Sequence, residues 1–404
     1  MSDISTGRVC PESGEPPAND DLALVLSGGG ARAAYQVGVL AGIAERAGPD
    51  ARFPIITGVS AGAINAAALA SSQGSLVSTV RLLADAWLDM SIGSVFNAGT
   101  MDLIRSILRW TYLMASGGKT PGINVRGLFD TEPLRKTLSG FVTTAGIEAN
   151  LAAGRLRALG LSATNYGTGQ TVTFVHGAAG EPTWARSGRV AVRTPISVDH
   201  ALASCALPIV FPSIRIGEQH YGDGSIRQTA PLAPAIHLGA RRLITIAIRY
   251  RRNFDEEVDA PTGGYPPPAQ ILGNMLNAIF LDAVSSDAER LERVNRSLQL
   301  LPPAQPHPEG LRPLKLLVLR PSRDLGELAT GLDTELPGAL RFVMRGLGAR
   351  SMPNKDLLSY LLFERPYIER LIELGRDDAL EQWDYIAPVL EDPEQRQPEM
   401  SRGS

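Results

Sequence analysis

Cysteine is nearly absent from this sequence of 404 residues, which holds only Cys10 and Cys205. Two thiols cannot build a disulfide framework, so stability must come from an apolar core, as is usual in reducing compartments. Histidine is also scarce: the five residues are scattered, with no HExxH and no paired cysteines, which leaves no zinc site to propose. Charge of either sign is balanced to a net −3, giving no electrostatic reason to expect a nucleic-acid partner. No apolar run reaches the roughly 18 residues a transmembrane helix requires. The first twenty residues lack the basic and apolar regions of a secretory signal. The expectation is a soluble, cytoplasmic chain without a cofactor, in contact with membranes at most peripherally.

What is present is 44% hydrophobic residues, ample for a large core. Residues 1–20 are polar and aperiodic and read as a disordered leader. Leu22–Leu26 is a short apolar run stopped by glycines, which suits a buried strand of a parallel sheet. A helical pattern follows over Ala31–Ala47, then a second apolar run, Phe53–Val59, and a small-residue helix, Ala61–Ala70. Further strand candidates are Ala158–Ala163, Thr171–His176, Leu243–Ile248 and Leu314–Leu319, while Arg251–Pro268 and Leu301–Pro313 read as proline-rich loops. This alternation predicts an α/β layer fold with right-handed crossovers. Residues 326–404 read as a helical C-terminal extension ending in a frayed tail.

The turn Gly28-Gly29-Gly30-Ala31-Arg32 follows a strand and opens a helix. Read as Gly28-x-Gly30-x-x-Ala33 it approaches a dinucleotide fingerprint, which needs an acid at the end of the second strand. That strand ends at Thr57-Gly58-Val59-Ser60, and the nearest carboxylate, Asp50, precedes it. The other chemistry open to the turn is an oxyanion hole: backbone N–H groups at a helix N-terminus favour negative charge, and glycines allow close approach. Arg32 is expected either to add a fixed positive charge or to anchor the turn.

Gly58-Val59-Ser60-Ala61-Gly62 fits the nucleophile-elbow pattern G-x-S-x-G, with an apolar strand before it and a helix after it. Ser60 is thus the candidate nucleophile, expected to be exposed on a strained turn. Its hydroxyl needs a proton acceptor. The residues alone leave three: His237 in a short helical stretch, His307 in a proline-rich loop, and Asp223, bracketed by Gly222 and Gly224.

The three elements in order resemble the patatin-like phospholipase family, whose pattern is G-G-G-x-R/K, then G-x-S-x-G, then D-G-G/A. Ala203-Ser204-Cys205-Ala206-Leu207-Pro208 with Phe211-Pro212 also resembles the family's A-S-x-A-x-P…F-P run. The resemblance covers about residues 21–325. It implies a three-layer fold with a mostly parallel central sheet flanked by helices. It also implies Ser60 as nucleophile, Asp223 as its base without a catalytic histidine, an oxyanion hole from Gly28, Gly29, Gly30 and Arg32, and no metal. Ser225 departs from the pattern, where Gly is usual.

The implied activity is that of a serine acyl hydrolase acting on a phospholipid or another apolar acyl ester through an acyl-enzyme. A catalytically silent adaptor on the same fold is the alternative. Residues 84–128 read as a lid or interfacial insertion. Within Met101–Ser116, Leu103, Ile107, Trp110 and Met114 form an apolar stripe, which Ile104 and Leu108 widen.

Overall fold

The computed structural model describes residues 21–97, 127–178, 180–251, 266–301, 311–346, 348 and 356–391, with isolated positions between 105 and 117. The leader 1–20, the terminal tail, His307, most of both proline-rich loops and the stripe residues Leu103, Ile104, Ile107, Trp110 and Met114 lie outside the described residues.

Among the described residues, ten strands form one sheet. Its centre is parallel: β1 (Leu22–Leu26) lies between β2 (Ile55–Val59) and β9 (Arg242–Ile246). β3 (Ala158–Asn165) flanks β2, and β10 (Lys315–Leu319) flanks β9. Beyond β3 the sheet is mixed. β4 (Thr171–Gly177) and β8 (Gln219–Asp223) both pair antiparallel with β3. Of the short strands, β6 (Arg189–Arg193) and β5 (Ala185–Arg186) continue from β4, and β7 (Ile214–Ile216) pairs with β8.

β1 shows why its sequence is apolar throughout. Leu22, Leu24 and Leu26 face one helical layer, and Ala23 and Val25 face the other. A strand buried on both faces has no polar side to show. The first layer contains α1 (Ala34–Ala47), α2 (Ala61–Ser71), α3 (Leu76–Leu88) and the C-terminal helix Arg365–Glu381. The second contains the short helix Ala233–His237 and part of Asp282–Gln299. The result is the expected three-layer α/β fold with C-terminal helices.

Boundaries differ from expectation where local geometry tightens. The helix expected from Ala31 starts with a 3₁₀ turn, Gly30–Ala33, before α1. The C-terminal helices pack directly on this part of the domain: Gly38 of α1 and Gly375 of Arg365–Glu381 bring the two backbones together. A Cβ on Gly38 would stand 2.1 Å from the Ile372 carbonyl oxygen, and one on Gly375 would stand 2.2 Å from that of Tyr35. No described helix is long and apolar enough to cross a membrane.

Candidate active site

The parallel pairing of β1 and β2 sets Leu26 opposite Gly58, so the turns leaving these strands meet at the carboxyl end of the sheet. Ser60 is in the second turn, with φ 53° and ψ −132°. A non-glycine residue held there stores on the order of 1–3 kcal/mol, which the neighbours must sustain. They do so by close packing. A Cβ on Gly62 would be 2.4 Å from the Leu26 carbonyl oxygen, and one on Gly58 would be 2.5 Å from that of Gly62. The two glycines of the motif are what let α2 start so near the strands.

Ser204, in the helix Val198–Cys205, pins the elbow from the other side. Its Oγ accepts from the Ser60 N–H at 2.9 Å and donates to the Ser162 carbonyl at 2.6 Å, with the side chain fully buried. Sequence reasoning placed Ser204 in a family-like segment without a role. Its partners lie 144 and 42 residues away, so no local pattern reveals the contact.

Asp223 reaches Ser60 through sheet register. Val59 is opposite Ser162, and the next residue of β3, Ala163, is opposite Asp223. The acid thus ends a strand. Ser60 Oγ donates to Asp223 Oδ2 at 2.6 Å, while Asp223 Oδ1 accepts from the Ser225 N–H at 2.9 Å. The backbone is fixed as well, by Asp223 N–H to Ala206 O and by Thr164 Oγ1 to Asp223 O. Gly224 is needed for close approach, since a Cβ there would lie 2.1 Å from the Ser162 carbonyl oxygen. Burial pushes the Asp223 carboxyl up to about 6, against the hydrogen bonds from Ser60 and Ser225 that favour its charged form.

The glycine turn lies beside this pair. Gly30 is left-handed at φ 56° and opens the 3₁₀ turn. Among the described residues nothing accepts from the N–H of Gly28 or Gly29. A buried polar chain fixes the turn from beneath. Gln36 Nε2 donates to Ser27 O at 2.8 Å, Asn65 Nδ2 to Gln36 Oε1 at 2.9 Å, and Trp87 Nε1 to Asn65 Oδ1 at 2.8 Å.

The Arg32 side chain is bound by the C-terminal helices. Its Nε donates to Ser359 Oγ, its terminal nitrogen pairs with Asp356 at 2.7 Å, and it lies 4.3 Å from the centre of the Tyr360 ring. Burial opposes its charge, but the Tyr360, Tyr367 and Asp356 side chains outweigh that and hold the guanidinium above its ordinary value. Of the two expected roles, this geometry is that of an anchor.

The structure does not bring His237 to the elbow. It stacks on Trp184 at 4.8 Å between ring centres, and burial with nearby Arg186 and Arg189 lowers it to about 4. Ser60 also departs from expectation in being covered: it is 5% exposed and Asp223 1%. The Phe280 ring contributes to the cover, its Cδ1 lying 3.0 Å from where a Gly28 Cβ would stand. Among the described residues no cluster of three or more His, Cys, Asp or Glu side chains is arranged to hold a metal.

Known structures align with this chain at low identity. Human GIVD cytosolic phospholipase A2, in complex with methyl γ-linolenyl fluorophosphonate, aligns at 16% identity and a TM-score of 0.43. The alignment covers 92% of this chain and 59% of that one. VipD from Legionella pneumophila aligns at 14% and 0.37, covering 91% and 67%. ExoU of the Pseudomonas aeruginosa type III secretion system, in complex with SpcU, aligns at 16% and 0.28, covering 92% and 78%. The chain thus spans about three fifths of the human enzyme's length. No curated protein sequence matches it. The family comparison is direct: the patatin-like phospholipase model matches residues 24–236, more than half of the sequence, and the chain belongs to that family.

Proposed function

We propose that this protein is a serine acyl hydrolase that cleaves a phospholipid or another apolar acyl ester through a Ser60 acyl-enzyme, with Asp223 as the base. The observation that carries this reading is the 2.6 Å bond from Ser60 Oγ to Asp223 Oδ2 at a positive-φ elbow. Family membership supports an acyl ester of a lipid as the substrate class.

Asp223 takes the Ser60 proton as Oγ attacks the acyl carbon, and the carbonyl electron pair moves onto oxygen. The N–H groups of Gly28 and Gly29 stabilise that oxyanion, in a turn that Arg32 anchors. Collapse expels the alcohol, which leaves with the proton from Asp223. Water then attacks the acyl-enzyme, gives its proton to Asp223, and the second collapse returns that proton to Ser60 with release of the fatty acid. A buried carboxylate is a weak base, so this scheme relies on fixed geometry and on a carboxyl value raised toward neutrality.

The test is fatty-acid release from phosphatidylcholine vesicles and from a soluble short-chain ester. The wild type should turn over at least one of them, and Ser60→Ala and Asp223→Asn should each lose roughly a thousandfold or more. Undiminished turnover in either variant would remove the dyad from the mechanism.

A further inference from the structure

Ser225 stands where the family pattern has glycine or alanine. The backbone N–H donates to Asp223 Oδ1, which ties the residue to the proposed base. Its hydroxyl oxygen is buried and, among the described residues, has no hydrogen-bond partner. The hydroxyl is near enough to the Asp223 carboxylate to favour its charged form. Leaving a buried hydroxyl unsatisfied costs about 1–3 kcal/mol. Such a group in a native fold calls for an explanation, and a catalytic role is one of them.

Its position supports that role. The Ser225 oxygen lies 2.6 Å from the point a Gly28 Cβ would occupy, and the Ser60 Cβ lies 2.9 Å from the same point. The nucleophile and the unpaired hydroxyl therefore converge on Gly28, whose own N–H has no acceptor among the described residues. We propose that the Ser225 hydroxyl donates a hydrogen bond to the substrate's carbonyl oxygen, joining the Gly28 and Gly29 N–H groups as that oxygen becomes an oxyanion. The inference rests on Ser60 being the nucleophile. Ser225 keeps its own proton throughout: Asp223 carries the proton from Ser60, and a hydroxyl turns about its C–O bond to meet the new charge.

The experiment compares full-length wild type with Ser225→Ala and Ser225→Gly. It measures the second-order rate of inactivation by an alkyl fluorophosphonate, whose phosphoryl oxygen stands in for the oxyanion. It also measures kcat, KM and the pH profile on a soluble ester, and the thermal transition. The proposal expects both variants to lose roughly tenfold to a hundredfold in kcat and in inactivation rate. KM should hold, the melting temperature should not fall once the unpaired hydroxyl is gone, and the acid limb should move no lower, because the hydroxyl favours the charged Asp223 carboxylate. Glycine, which the family pattern tolerates, keeps the test valid if alanine disturbs folding. Unchanged rates overturn the proposal. So does a shifted acid limb with an intact plateau rate, because the hydroxyl would then serve Asp223. A wild type that never reacts with the probe indicts the hydrolase reading itself, a separate failure that takes this inference with it.

Discussion

Arg32, in the turn after β1, is paired at 2.7 Å with Asp356, which lies 324 residues later in the chain. Asp356 also accepts from Asn277 Nδ2, in the helix that ends at Phe280. One carboxylate therefore links the glycine turn, the cover over Ser60 and the C-terminal helices.

Asp356→Ala should be severely destabilising, because it strands a guanidinium that is only 2% exposed. Breaking one side of a buried pair costs about 3–5 kcal/mol. Urea unfolding at constant slope should show this loss, with a smaller one for Asp356→Asn, which keeps the hydrogen-bonding shape. An exposed ion pair would lose under about 1 kcal/mol, and a result that small would contradict the anchoring role.

Gly38→Ala and Gly375→Ala reverse the usual helix rule. Alanine gains about 1 kcal/mol over glycine in a helix interior. Here each new methyl meets a backbone oxygen across the α1 interface at 2.1–2.2 Å. Net destabilisation of about 1–3 kcal/mol is expected from overpacking, measurable as a lowered melting temperature. A rise would show that the two helices can separate freely.

Ser204→Ala removes the acceptor of the Ser60 N–H and the donor to Ser162, so the strained elbow loses its clamp. A stability loss of about 1–3 kcal/mol is expected for the groups left unpaired. Turnover should fall at least about tenfold, since a small misplacement of a nucleophile is costly. Preserved kcat with lowered stability would limit Ser204 to a structural role.

How much of this was legible in the sequence follows from distance along the chain. Leu22–Leu26 and Ile55–Val59 are buried on both faces, so their apolar runs announced them, and the elbow between β2 and α2 followed from its own pentapeptide. The strands β5 to β8 were not expected. They are short, lie at or near the mixed edge of the sheet and carry polar residues such as Arg189 and His220. Asp223 looked like one turn acid among several acceptors until the family resemblance singled it out. Its place beside Ser60 depends on pairing across β3, which no local pattern encodes. The partner of Arg32 and the role of Ser204 were hidden for the same reason. Phe280, which packs against Gly28 beside Ser60, lies 220 positions after the nucleophile and was hidden likewise.

The buried acid makes a pH-dependent prediction. Burial raises Asp223 from 3.8 to about 6, so between those values the folded chain holds a proton that the unfolded chain has released. Its contribution to stability is therefore fully present below about pH 4 and is lost as pH rises through about 6. At neutral pH the ionised acid costs on the order of 3 kcal/mol. Asp223→Asn should then be inactive yet more stable than wild type near pH 7.5, with the difference shrinking toward pH 4. Wild-type activity should fall as pH drops through about 6. Melting curves across that range check the first statement, and a pH–rate profile checks the second.

The central claim, that Asp223 activates Ser60, is tested most directly by intact mass and peptide mapping after exposure to an alkyl fluorophosphonate. The account predicts one adduct per wild-type chain, located on Ser60. It predicts none on Ser60→Ala and labelling slowed by roughly a thousandfold on Asp223→Asn. An adduct on another residue, equal labelling of Ser60→Ala, or full-rate labelling of Asp223→Asn would contradict it.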